Sequence, residues 1–329
     1  MKHAMRLVLS TLICAVAVTT MAIASADAAE RAYPTKPIRL LVPYAPGGGN
    51  DTMARAIGRK LTEAWGQQVI IDNRPGANGL LAGEMAAKAA PDGYTLFMAN
   101  IGSHAINPAL YPKIPYDPIK DFAPVSLLGT TTNVLVVHPS TPVKTLKELI
   151  AYAKARDGQV TYGSNGSGSS QHLAGALFGS TFGLKLVHVP YKGTGPMMND
   201  LVGGQIGMCF ANMLAVMPHV RAKRLVPIAV SSLTRSSALS DVPAVAEMAP
   251  GFEAMSWWGI VTTHGSPAAN IHALNAAIVK ALHSSDMKTF MENLGADPRP
   301  TTPREFDAFI KSELTKWAKV VKESGARAD

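Results

Sequence analysis

Leu40 to Leu61 reads LLVPYAPGGGNDTMARAIGRKL, and this stretch decides the fold. Ile38 to Pro43 is a short apolar run that predicts a buried strand. Gly47, Gly48 and Gly49 form a turn, Asn50 and Asp51 a polar pair, and an amphipathic helix follows. Such a turn sets backbone N–H groups at a helix start. There, unpaired donors and roughly half a positive charge suit a carboxylate or phosphate. The same order returns at Gln159 to Phe178, QVTYGSNGSGSSQHLAGALF. A strand runs into Gly163, Gly166 and Gly168, then Ser169, Ser170 and a second helix. Two anion-ready helix starts about a domain apart predict one ligand held between two lobes.

Outward from these stretches the chain alternates strands and helices. Val69 to Asp72 and Tyr94 to Ala99 read as strands, with Leu80 to Ala90 helical between them. That β-α-β-α-β order predicts an open, mostly parallel sheet, whose ligands sit beyond the carboxyl ends of its strands. Ser103 and His104 follow one such end and are candidate contacts. A Pro-rich connection from Asn107 leads to strands at Val125 to Gly129 and Asn133 to His138, where the chain is expected to cross to the second lobe. Leu146 to Ala155 is helical and Leu186 to Pro190 a strand. Tyr191 to Gly195, which contains Thr194, is another strand-end loop. Ile206 to Phe210 is a strand with Ala211 and Asn212 just past it, and Val226 to Ser231 is strand-like. Met255 to Thr262 reads as the return strand. Helices over Pro267 to His283, Phe290 to Leu294, Pro303 to Glu313 and Leu314 to Lys322 form a tail expected to pack on the first lobe. These readings place a first lobe at 30–130 plus 254–329 and a second at 131–253.

The N-terminus stands apart. Lys2 and Arg6 precede the apolar run Leu7 to Ala24, and small residues follow at Ala24-Ser25-Ala26 and Ala26-Asp27-Ala28. This is the pattern of a secretory signal peptide, 1–26, cleaved near Ala26 or Ala28. The alternative, an uncleaved anchor, has the length but not the use for such a cleavage site. Removal from the 329-residue chain leaves 303 residues, with 29 basic against 23 acidic side chains and a net charge of +6. A mildly basic exported protein attracts anions, and without a dense Lys/Arg run nucleic acid is not an expected partner. Cys14 lies in the leader behind Ile13, where lipidation wants a small residue. Cys209 is then the one mature thiol, so no internal disulfide forms.

Enzyme signatures fail at both glycine loops. Thr52 and Gln171 stand where G-x-G-x-x-G needs its last glycine, and no P-loop, G-x-S-x-G, H-E-x-x-H or C-x-x-C occurs. No catalytic set, metal or cofactor is expected. The candidate ligand contacts are Tyr44, Gly47, Gly48, Gly49, Asn50 and Asp51 from the first loop. From the second come Ser164, Gly168, Ser169 and His172. Helix capping alone would explain one of the serines, but not the cluster.

Together, several motifs resemble one family. These are Val42-Pro43-Tyr44-Ala45-Pro46-Gly47-Gly48 with Asp51, Asn73-Arg74-Pro75-Gly76-Ala77, Pro91-Asp92-Gly93-Tyr94-Thr95-Leu96, Asn107-Pro108-Ala109-Leu110-Tyr111, Val189-Pro190-Tyr191-Lys192-Gly193 and Trp258-Gly259. In this order they resemble the Bug/TctC family, extracytoplasmic solute receptors of tripartite tricarboxylate transporters, across essentially the whole mature chain. The resemblance implies an α/β, two-lobed periplasmic binding protein (type II-like) fold with a ligand cleft between the lobes. It further implies a small organic carboxylate held by backbone N–H groups, hydroxyls and water, and delivery to transporter membrane subunits. Asp51 matches the family aspartate, whose role would be to cap the helix and order the glycine loop, not to touch the anion. Ala211 stands where the family often has an aspartate that, in some relatives, meets a ligand amine, which favours a carboxylate without an amine. A monomeric periplasmic receptor is the expected form. An exported enzyme acting on a small acid, with His104 and Asp51 as its one conceivable pair, and a ligand sensor for a membrane kinase are the alternatives.

Overall fold

The computed structural model describes residues 33–324 and Ala326. The expected leader and its cleavage site lie outside the described residues. No helix among the described residues is long and apolar enough to cross a membrane.

The first strand, β1 (Ile38–Val42), is nearly all buried and leads through the glycine turn into helix α1 (Gly49–Trp65). β2 (Val69–Asn73), α2 (Leu80–Ala87) and β3 (Thr95–Asn100) complete the expected unit, and β1 lies parallel to both β2 and β3. β3 then runs into a π-helical turn, Gly102–Ile106, and the short helix α3 (Asn107–Leu110). Two long antiparallel strands extend this sheet: β4 (Phe122–Thr131) and the return strand β10 (Ser256–Thr263), which is buried along its whole length. With β11 (Ala296–Pro298) the order is β11-β4-β10-β3-β1-β2.

The second sheet has the order β7-β6-β8-β5-β9. Its strands are β5 (Asn133–Val137), β6 (Val160–Ser164), β7 (Leu186–Pro190), β8 (Met208–Asn212) and β9 (Val226–Val230). Between them run α4 (Leu146–Ala155), α5 (Ser170–Phe182), α6 (Thr194–Val202) and α7 (Met213–Arg221). β6 is parallel to β7 and β8, and β5 is antiparallel to β8 and β9. The two lobes therefore share a plan: parallel strands feeding helices, closed by antiparallel strands. The chain crosses between sheets at Thr132 and returns through Ala254. Asn133 Nδ2 and Ser231 Oγ both donate to Ala254 O at 2.8 Å, which ties the two crossings together.

The tail differs from the sequence reading. After α8 (Ala268–His283) and α9 (Ser285–Asn293), the two expected helical segments are one 22-residue helix, α10 (Pro303–Ser324). Its apolar stripe of Phe306, Ile310, Trp317, Val320 and Val321 follows helical spacing and is buried. At about 1.5 Å per residue such a helix is long enough to serve both lobes. It packs on β4 and α3 of the first lobe and also on α5 of the second. Phe306 presses so closely on β10 that a Cβ at Gly259 would lie 2.1 Å from its ring. One core cluster consequently includes Phe97 and Trp317 as well as Leu135 and Phe178.

Candidate functional site

The first loop is built around Asp51. Its Oδ2 accepts from Gly47 N at 2.9 Å and from Arg55 Nε at 3.0 Å. Burial pushes this carboxyl up, but the Arg55 and Gly47 hydrogen bonds and the Arg55 charge outweigh it, and its pKa falls below the ordinary aspartate value. The aspartate thus closes the glycine turn on itself. Thr52 N makes the first helical bond, to Gly48 O, so the N–H groups of Gly49, Asn50 and Asp51 precede the ladder. Among the described residues no side chain caps α1, so of the two roles expected of Asp51 the ordering of the loop is seen and the helix cap is not, because its carboxylate turns back to Gly47 N.

Asn100, at the carboxyl end of β3, spends its two amide ends differently. Its Oδ1 accepts from Gly102 N at 2.8 Å and Ser103 N at 3.2 Å, which fixes the amide and leaves Nδ2 as a donor. That Nδ2 is buried with no hydrogen-bond partner. Tyr44 OH reaches the same Oδ1 at 3.4 Å and donates to Asn78 Oδ1 at 2.9 Å. Burial pushes the Tyr44 phenol above its ordinary pKa, so it stays a donor.

From the second lobe, Ser169 caps α5 by accepting from His172 N at 3.2 Å. Ser170 and Gln171 open the helix. Ser170 Oγ accepts from Ser256 Oγ of β10 at 2.7 Å, a hydrogen bond between lobes. Gln171 Nε2 donates to Asn212 Oδ1 at 3.3 Å, and Asn212 Nδ2 to Asn133 Oδ1 at 3.2 Å.

These residues enclose two adjoining cavities. The inner one, about 30 Å³, is lined by Asn50, Asn100, Asn165, Ser170, Gln171 and Trp258, among others. Holding a single water takes roughly 10–15 Å³ by such a measure, so the inner cavity suits one small polar group. The outer one, about 210 Å³, lies between the glycine loop, Thr194, Ala215 and Leu294. Gly49, Asn212 and Trp258 border both. Apart from Tyr44, no ionisable side chain among the described residues lines either cavity. Asn50 Oδ1 and Asn165 Oδ1, like Asn100 Nδ2, are buried without a partner. Either of those two amides can turn its NH₂ toward a guest. The arrangement can hold an anion by dipoles and N–H groups, with no full positive charge opposite it.

Of the candidates named from sequence, Tyr44, Gly49, Asn50 and Ser169 line the inner cavity, and Gly47, Gly48 and Thr194 the outer. The others lie behind them. Asp51 faces its own loop. Ser103 and His104 fold inward along the π-helical turn, and His104 sits among Phe97, Tyr116 and Phe122 with Nδ1 3.0 Å from Ser103 Oγ. His104 and Asp51 thus serve different partners. Ser164 Oγ lies 2.7 Å from His188 Nε2, and His172 Nδ1 accepts from Gly168 N at 3.1 Å, so this cluster braces the second loop. Ala211 is fully buried, paired with Val134, while the next residue, Asn212, reaches the cleft. Successive strand residues face opposite sides, so one position of offset separates core from site. Asn100, Asn165, Asn212 and Ser256 also line the inner cavity and lie outside the sequence-derived candidates. The usable signal was a polar residue ending an apolar strand, as at Asn100 and Asn212. Asn165 and Ser256 carry no such mark.

The family model described as tripartite tricarboxylate transporter family receptor matches residues 53–326. Protein BugT of Bordetella pertussis (strain Tohama I) is 38% identical over 312 residues, covering 94% of this chain and 95% of BugT. Among solved structures, R. palustris Rpa4515 with adipate is 35% identical with a TM-score of 0.86, covering 90% of this chain and 100% of that one. MatC from Rhodopseudomonas palustris with bound malate is 33% identical with a TM-score of 0.82, covering 88% of this chain and 100% of that one. The geometry and these likenesses agree that the chain belongs to the TctC/Bug family of tripartite tricarboxylate transporter receptors.

Proposed function

We propose that this protein is a periplasmic receptor that captures a small organic carboxylate between its lobes and delivers it to the membrane subunits of a tripartite tricarboxylate transporter. The observation that carries the reading is the uncharged, donor-rich inner cavity, where the starts of α1 and α5 meet Asn100 Nδ2. The carboxylate would take hydrogen bonds from Asn100 and from the first N–H groups of the two helices, and its body would extend into the outer cavity. The adipate and malate of the two relatives support the chemical class. Among the described residues no carboxylate lines the cavities to meet a ligand amine, which favours acids without one. The lobes are taken as 30–130 plus 254–329 and 131–253. Closure over the ligand would form the surface that the permease reads, with the receptor acting as a monomer and without nucleic acid.

A thermal-shift panel on protein unfolded and refolded to remove carried ligand tests this. Aliphatic and aromatic carboxylates are set beside amino acids, sugars and nucleotides. An acid at about a hundred times its Kd stabilises by roughly 2.7 kcal/mol. Stabilisation by carboxylates is the expected result. Stabilisation by sugars or nucleotides alone would sink the reading.

A further inference from the structure

The loop after β2 holds a left-handed conformation that Ala77 disfavours and that Asn78 tolerates better than most side chains. Ala77 and Asn78 both have positive φ, 43° and 50°, and Gly79 follows at 88°. Left-handed backbone at two successive non-glycine residues carries strain, and such strain persists only where the surroundings hold it. Here the hold is the side chain of Asn78. Its Oδ1 accepts from Tyr44 OH at 2.9 Å, its Nδ2 donates to Asn107 Oδ1 at 2.8 Å, and its backbone oxygen accepts from Asn107 Nδ2 at 3.0 Å. Asn78 and Asn107 therefore grip each other reciprocally, 29 residues apart.

On one side the pair is connected to the ligand cavity through Tyr44, which lines it. Tyr44, held by Asn78, also reaches the Asn100 amide that aims a donor inward. The other side faces the second lobe. A Cβ at Gly168 would lie 2.6 Å from Leu110 Cδ2, 2.9 Å from Asn78 Nδ2 and 3.5 Å from Asn107 Oδ1. Gly168 also has φ +80°, and its N–H is fixed on His172. The bare backbone of the second loop thus seats directly on the Asn78–Asn107 pair, and only glycine fits.

We propose that Asn78 couples ligand capture to lobe closure, as a positioning residue that sets Tyr44 and Asn100 on one side and forms the seat for Gly168 on the other. The inference rests on the carboxylate reading above. It assigns a specific purpose to the strain: a relaxed loop would withdraw the seat and slacken the ligand-facing amides together.

Two variants of the full mature chain test it, with adipate, malate and benzoate as probes. Asn78→Gly removes the side chain and relieves the positive φ at residue 78, while Ala77 keeps its own, and its melting temperature and affinity read the folding role and the coupling role separately. Its ligand-free melting temperature is expected to fall by only a few degrees, as the loss of two part-buried hydrogen bonds would cause, while affinity for the acid that wild type binds falls at least ten-fold. Gly168→Ala is expected to lose at least ten-fold in affinity and to abolish the contraction that the acid causes in small-angle scattering. Three results would overturn the inference: Asn78→Gly binding within two-fold of wild type, Asn78→Gly melting far below it, or Gly168→Ala contracting fully. A wild type that none of the carboxylates of the thermal-shift panel stabilises overturns the carboxylate reading itself, and the inference falls with it.

Discussion

At the scale of single residues, the site turns on amides whose two ends face different tasks. In Asn100→Asp the remaining oxygen can still accept from Gly102 N and Ser103 N, but the donor Nδ2 becomes a second acceptor. A hydrogen bond to a charged group contributes about 1.5–3 kcal/mol, and like charges then add to its loss. We expect acid affinity to drop about a hundred-fold or more with ligand-free melting little changed; calorimetric titration reads the first and a melt the second. An unchanged Kd would remove Asn100 from the contact set. His104 makes a different prediction. Burial pushes its imidazole down to about 3, below the ordinary histidine value. The unfolded chain therefore takes up the proton first. Stability is full above about pH 6.5 and falls as pH drops from there toward 3, by roughly 2–3 kcal/mol at pH 4.5. The depressed carboxyls of Asp72 and Asp117 act only at lower pH, below the ordinary aspartate value. His219 is also lowered, by burial and Arg224, so the measurement is a difference: His104→Gln should flatten the pH 4.5–7 melting profile relative to wild type. Equal slopes in the two proteins would show that His104 does not set this window.

At the scale of elements, the glycine turns were legible because glycine, a polar cap and an apolar period of helical spacing occur together, and few local structures accept all three. Both loops and the strand order that follows from them came through. What depends on facing was harder to read. Ser103 and His104 follow the end of β3, yet the π-helical turn carries both away from the cleft and leaves Asn100 at its edge. The extra residue of a π turn has no sequence signature of its own. β8 shows the same limit: its strand runs two residues past the expected end, because Ala211 and Asn212 pair with Val134 and Asn133. The tail expected as two helices, Pro303 to Glu313 and Leu314 to Lys322, is one unbroken α10, and Glu313 at the expected break is an ordinary helix former inside it. In the structure Glu313 Oε2 accepts from both Trp257 Nε1 and Trp317 Nε1 at 3.0 Å. This carboxylate is an internal acceptor for two buried indoles, a role that depends on packing across the fold and leaves no mark in the local sequence. Through Trp257, which lines the inner cavity, this helix also supports the wall of the site.

At the scale of the whole molecule, the two-lobed plan follows from chain order, whereas the contacts between lobes arise only in three dimensions. Gly168 on Asn78, Ser256 on Ser170, and Met213 against Gly295, where a Cβ would lie 2.3 Å away, join residues far apart in sequence. Trp258 sits at the same junction. It borders both cavities, and its Cζ2 would lie 3.2 Å from a Cβ on Gly49. The chain has four tryptophans. Trp257 and Trp317 have their indole N–H groups committed to Glu313, and Trp65 ends α1 on the far side of that helix from the glycine loop. Motion of the lobes about Thr132 and Ala254 would change the surroundings of Trp258 most. Addition of a bound carboxylate should therefore shift the tryptophan emission of the wild type. Trp258→Phe should remove most of that shift, while Trp317→Phe should keep it. If Trp258→Phe still binds the acid by calorimetry and retains the full shift, the emission change arises elsewhere, and the edge between Trp258 and Gly49 is not where closure is felt.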